Sequence, residues 1–137
     1  MKLAADANVL LSALIGGQAK RVLYHSSVEE VFTTATTLEE VQEYAALLAR
    51  KRRLPIDVVL LAAATLPVTI VPRSEYRPML PEARKRMSRR DPDDIELLAL
   101  ALHYSIPVWS NDNDFEIAGV PWYTTAALLA RFDAKRR

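Results

Sequence analysis

Residues 91–116 read DPDDIELLALALHYSIPVWSNDNDFE, a helix, a strand and an acidic loop in succession. Asp91 suits the cap, Pro92 the first helical position, and Asp93 and Asp94 put two acids in the first turn, where the helix dipole favours them. Ile95, Leu98, Ala99 and Leu102 follow at helical spacing. Residues 107–110 are short and apolar, as a buried strand requires, and residues 111–116 are polar and turn-forming.

The same alternation runs through the rest of the chain. Residues 2–5 predict a first buried strand that ends at Asp6. Asn8 is placed to cap a helix carrying Val9, Leu10, Ala13 and Leu14, which Gly16 and Gly17 stop. A second helix is expected over residues 19–26 and a second strand over residues 30–34. Thr36 with Glu39, and Thr37 with Glu40, both match the capping-box spacing for a helix whose buried face is Leu38, Val41, Ala45, Leu48 and Ala49. An apolar helix over residues 56–65 and a β-branched strand over residues 68–71 come next. A Pro-rich connection spans residues 73–80, and a short basic helix residues 81–87. Residues 120–123 predict a last strand and residues 125–133 a closing helix. Strands alternating with helices indicate an α/β fold, a three-layer sandwich around a mainly parallel sheet of four to five strands. No repeat or long linker divides the chain, so one domain over residues 1–137 with a basic tail from about 134 is expected.

Composition narrows the chemistry. Half of the 137 residues are hydrophobic, enough for a sizeable core. No apolar run is long enough to cross a membrane, and the opening stretch reads better as strand and helix than as a signal peptide, because Asp6 and Asn8 interrupt it. The chain contains no cysteine, which excludes disulfides and thiolate metal sites and fits a reducing cytoplasm. Two histidines, His25 and His103, leave little for a His-rich zinc centre. Any metal would need oxygen ligands. Net charge is only +1, but the cations are clumped: Arg50, Lys51, Arg52 and Arg53, then Arg84, Lys85, Arg86, Arg89 and Arg90. These are the candidate contacts to a nucleic-acid backbone.

The acids carry the sharper signal. In parallel sheets, sites gather beyond the carboxyl ends of the strands. Asp6 and Asp112 each follow a predicted strand, and Glu40 and Asp94 lie near the starts of helices leaving the same edge. Each acid also has a local explanation as a turn former, a capping-box partner or a dipole partner. Brought together they would repel one another and raise a pKa unless a cation joined them, and hard Mg²⁺ or Mn²⁺ prefers such oxygens.

Three segments resemble the PIN-domain family, the fold shared by VapC-type toxins and many RNA-processing nucleases. Asp6-Ala7-Asn8-Val9-Leu10 resembles its opening D-x-N motif. Thr37-Leu38-Glu39-Glu40-Val41 resembles its helix motif, an acid before an apolar residue, which selects Glu40 over Glu39. The stretch from Asp91-Pro92-Asp93-Asp94-Ile95 through Ser110-Asn111-Asp112-Asn113-Asp114-Phe115 resembles its C-terminal signature, with Ser110 where the family usually has Thr. Residues 42–90 match no family motif. The resemblance implies a metal-dependent endoribonuclease in which Asp6, Glu40, Asp94 and Asp112 are catalytic and hold Mg²⁺ or Mn²⁺. Asp114 would be a fifth, water-mediated ligand or a cap for the loop, and Asn8 and Ser110 would orient the carboxylates. It also implies an RNA substrate, an antitoxin partner if the chain is a toxin, and a homodimer. The alternative is a PIN-like module that binds RNA or protein without catalysis. A haloacid-dehalogenase-like phosphatase fits poorly, since it needs an acid at Asn8, and a receiver domain needs an acid where its third strand ends, at Pro72.

Overall fold

The computed structural model describes residues 1–87 and 92–135. Five strands make one sheet: β1 (Lys2–Ala5), β2 (Glu30–Thr34), β3 (Thr69–Val71), β4 (Val108–Trp109) and β5 (Trp122–Tyr123). The order is β3-β2-β1-β4-β5, and every neighbouring pair is parallel. β1 is central, with Leu3 opposite Val31 and Ala5 opposite Trp109. A central parallel strand is covered on both faces, and Leu3, Ala4 and Ala5 are all fully buried.

Side chains alternate across the sheet and so divide the core in two. Leu3, Ala5, Val31 and Trp109 pack under α1 (Ala7–Leu14), α2 (Gln18–Leu23), α3 (Ala35–Lys51) and α8 (Thr125–Lys135). Ala4, Phe32, Val71 and Val108 face the other way, against α5 (Arg73–Tyr76), α6 (Leu80–Arg86) and α7 (Pro92–Tyr104). The expected three-layer sandwich is present, with all five strands parallel. Among the described residues no helix is long and apolar enough to cross a membrane.

Three expectations need correction. The cap of α1 is Asp6, not Asn8: its carboxylate accepts from the Val9 N–H at 3.0 Å, and Asn8 lies inside the helix. Asp6 keeps extended backbone while its carboxylate reaches forward to the first turn. α3 begins at Ala35 and is capped by Thr34, whose hydroxyl accepts from the Thr37 N–H at 3.0 Å. Neither capping box forms, because both of their threonines already lie within the helix. Residues 73–80 are not an open connection but a run of short helical turns, with Pro78 just inside the 3₁₀ turn Arg77–Met79 and Pro81 at the start of α6. Proline at these positions needs no N–H partner. Gly16, with φ of +87°, lies just past α1 and takes the left-handed backbone suited to glycine. The expected cap Asp91 lies outside the described residues.

The fourth helix, α4 (Ile56–Ala64), is apolar as expected, yet it buries only Ala63. Val58 and Leu61 are 63% and 65% exposed.

Candidate active site

The strand order reverses beside β1: the chain builds β2 and β3 to one side and β4 and β5 to the other. Such a switch point opens a crevice at the carboxyl ends of the two diverging strands. Asp6 follows β1 directly, and Ser110 follows β4. The Asp6 N–H donates to the Trp109 carbonyl at 3.2 Å, fastening the two strand ends together. A cleft of about 160 Å³ opens there, lined by Asp6, Asn8, Thr37, Glu40, Asp93, Asp94, Asp112 and Asp114 among others. The chain thus brings together all five carboxylates singled out in the sequence. It adds Asp93, in the first turn of α7 beside Asp94, where an acid also suits the helix dipole; the doubled acid at 93–94 is its signal in the sequence.

Asp6 is the most buried of them. It is 7% exposed, and its pKa is pushed up from the ordinary 3.8 to about 6. Burial is the main cause, and the nearby Asp112 charge adds to it. Hydrogen bonds from the Ser110 side chain and from the Val9 and Asn8 backbone N–H groups oppose the rise. Ser110 is fully buried, and its hydroxyl also accepts from the Asp112 N–H at 3.3 Å. One hydroxyl therefore positions both the carboxylate of Asp6 and the backbone of Asp112. Asn8 lines the cleft, but it is its backbone that bears on Asp6.

The loop after β4 is held by its own polar groups. Asp112 accepts from the Asp114 N–H at 3.0 Å, an Asx turn of the kind the sequence also allowed. Asn111 reaches the other way and accepts from the Thr125 N–H at 2.8 Å, tying the loop to the start of α8. The Trp109 indole N–H donates to the Thr125 hydroxyl at 3.0 Å inside the core. Trp109 is fully buried. Asn111 belongs to a polar, turn-forming loop, and nothing local in the sequence marks its bond across fourteen residues.

Glu40 stands in the second turn of α3, beyond the reach of the cap, and faces the cleft. The basic residues divide. Arg50 and Lys51 form the last turn of α3, about 15 Å along its axis from Glu40, and Arg52 and Arg53 follow them, so this cluster does not share the cleft. Arg84 lines a second cleft beside the acidic one. Arg86 is committed elsewhere, to Glu82 at 3.0 Å and to the Ala118 carbonyl at 2.9 Å. Lys85 is exposed on α6. Arg89 and Arg90 lie outside the described residues. His25 stacks on Phe132, and His103 sits edge-on to Tyr104 at the far end of α7. Neither reaches the acids.

The donor set is all oxygen, which matches a hard divalent cation. Among the described residues no three His or carboxylate side chains are gathered tightly enough to cage a bare ion. A hydrated divalent cation of the Mg²⁺ kind keeps several waters and needs only one or two direct carboxylates.

Fold and cleft together define a parallel α/β sandwich with a carboxylate-lined crevice at its switch point. A family model described as the PIN domain matches residues 5–133, and the chain belongs to the PIN-domain family, whose nucleases generally use divalent metal ions. No curated protein matches it. Its fold is similar to that of VapBC2 from Rickettsia felis bound to a promoter DNA fragment, with TM-score 0.68, 12% identity, and coverage of 90% of this chain and 98% of that one. A toxin–antitoxin complex from Klebsiella pneumoniae gives TM-score 0.63 at 21% identity, covering 90% and 97%. VapC20 of Mycobacterium tuberculosis, a sarcin–ricin-loop-cleaving toxin, gives TM-score 0.58 at 21% identity, covering 86% and 95%.

Proposed function

We propose that this chain, as one domain over residues 1–137, is a divalent-metal-dependent endoribonuclease and the toxin of a toxin–antitoxin pair acting in the cytoplasm. The observation that carries the reading is the convergence of Asp6, Glu40, Asp94, Asp112 and Asp114 on one cleft, with Asp6 buried enough to resist ionisation. Asp6, Asp94 and Asp112 hold Mg²⁺ or Mn²⁺ directly or through water, with Glu40 and Asp114 completing the set. The cation supplies an acidified water and neutralises charge on the phosphate oxygens. Ser110 holds Asp6 and the Asp112 backbone in place. The Asn8 backbone N–H stabilises the ionised form of Asp6 once a cation is present. Arg84, beside the cleft, and Lys85, exposed on the same helix, bind backbone phosphate; Arg50, Lys51, Arg52 and Arg53 meet only a longer strand. Arg89 and Arg90 complete the basic set.

Solved structures of similar fold include toxin–antitoxin complexes, which supports a protein partner here. The apolar groove of about 430 Å³ between α1, α3 and α4, lined by Ile15, Leu54 and Val58 and rimmed by Lys20 and Arg52, suits an amphipathic antitoxin segment with acidic flanks. A homodimer is the expected assembly.

The test is incubation with a panel of RNAs with Mn²⁺ and with a chelator, sizing the fragments, beside the Asp94→Asn variant. Metal-dependent internal cuts lost in the variant are expected. Binding without cleavage under all conditions would favour the non-catalytic module.

A further inference from the structure

The acidic cleft has two unlike flanks. On one side it continues into a groove lined by Thr36, Glu39, Glu40, Glu43, Tyr44 and Asp93. On the other it adjoins a cleft of about 210 Å³ whose lining includes Thr36, Arg73, Leu80, Arg84, Asp93 and Glu96. Asp93 borders all three spaces, so the two flanks meet at the carboxylates. Fold topology explains the basic side. Arg73 comes two residues after β3 and therefore stands at the same sheet edge as Asp6 and Asp112, while Arg84 reaches the cleft from α6. The Arg73 Nε–H donates to Glu96 at 2.8 Å, which orients the guanidinium, and the side chain stays 51% exposed. That bond uses one of the five N–H donors an arginine carries in its planar fork.

We propose that Arg73 and Arg84 form a phosphate subsite for the nucleotide next to the one at the carboxylates, and that single-stranded RNA runs along this flank rather than past Glu39 and Glu43. The subsite rests on the nuclease reading of the adjoining cleft. A polyanion crossing the Glu39–Glu43 side meets like charge along that lining. On the Arg side it meets two guanidinium groups, each able to bind phosphate in bidentate fashion. The carboxylates hold the reacting phosphate; the arginines set the direction in which the strand leaves it.

The experiment measures binding of a short labelled single-stranded RNA by fluorescence anisotropy across a salt series, in Mn²⁺, with the full chain carrying Asp94→Asn to suppress cleavage. Arg73→Gln and Arg84→Gln are each expected to weaken binding several-fold and to lower the log–log salt slope by about 0.7 per lost phosphate contact. Arg73→Lys should keep most of that slope, which separates charge from any structural role through Glu96. Glu43→Gln should bind as tightly as the parent or tighter. A double Arg73→Gln/Arg84→Gln variant with unchanged affinity and slope overturns the subsite, as does a slope that falls only with Arg50→Gln/Arg52→Gln. Cleavage by the chain without Asp94→Asn is scored separately. Loss of RNA affinity in the arginine variants without any cleavage by that chain would leave the phosphate subsite standing and remove the nuclease reading.

Discussion

Asp6→Asn should make the metal-free protein more stable while making it inactive. The substitution keeps an oxygen that accepts from the Val9 N–H, so the cap of α1 survives. It removes a carboxylate charge held in a buried place beside Asp112. The rise in pKa from the ordinary 3.8 to about 6 corresponds to about 3 kcal/mol of preference for the neutral form. The native state binds this proton more tightly than the unfolded chain does. Asp6 therefore supports folding when protonated, and that support is lost as pH rises from about 4 through about 6. Above that window the charged side chain costs the native state up to about 3 kcal/mol, less whatever the asparagine amide costs in the same place. Thermal unfolding in chelator, from pH 4 to pH 8, reads this directly. At pH 7 the variant should melt higher than the parent by about 3 °C per kcal/mol, and the two should converge toward pH 4. Saturating Mn²⁺ should raise the melting temperature of the parent more than that of the variant, because only the parent keeps the full ligand set. A variant no more stable than the parent at pH 7, or a gap that does not shrink on acidification, would refute the argument from burial and repulsion.

Asp94→Asn and Asp112→Asn should each lower Mn²⁺-dependent RNA cleavage by orders of magnitude with far-UV circular dichroism unchanged; full activity in either removes that residue from the mechanism. Thr34→Ala removes the hydroxyl that caps α3 and should cost about 1 kcal/mol in urea unfolding, with Glu40 less well positioned and activity reduced. Thr125→Val strands the buried Trp109 indole N–H, an unmet donor that should cost about 1–3 kcal/mol in the same assay. Activity should fall as well, because the anchor of the Asp112 loop sits at the start of the same helix.

Much of this molecule is visible from local pattern. Strands β1 and β2, the helix over residues 92–104 and the alternation that makes the sheet parallel all follow from apolar spacing and turn chemistry, which act over a few residues. The boundaries are less legible where two local signals compete. Thr34, Thr36 and Thr37 all offer a hydroxyl, and only the end of β2 at Thr34 decides which one caps α3. Residues 73–81 carry two prolines, Pro78 and Pro81, that read as a break, yet each occupies a helical position where its missing N–H is no loss.

The acids were nameable residue by residue because a site for a hard divalent cation needs carboxylate oxygens, and the sequence places them at strand and helix ends. Their joint address was decided only by the sheet. The order β3-β2-β1-β4-β5 puts Asp6 and Asp112 on neighbouring strand ends across the switch point, and no local interaction specifies which strand pairs with which. The same assembly carried Arg73 to the cleft beside the acids and left Arg50 to Arg53 at the other end of α3. Residue type and local spacing are written in the chain itself. Distance between parts remote in sequence, and the burial that raises the Asp6 pKa, exist only once the core has closed around them.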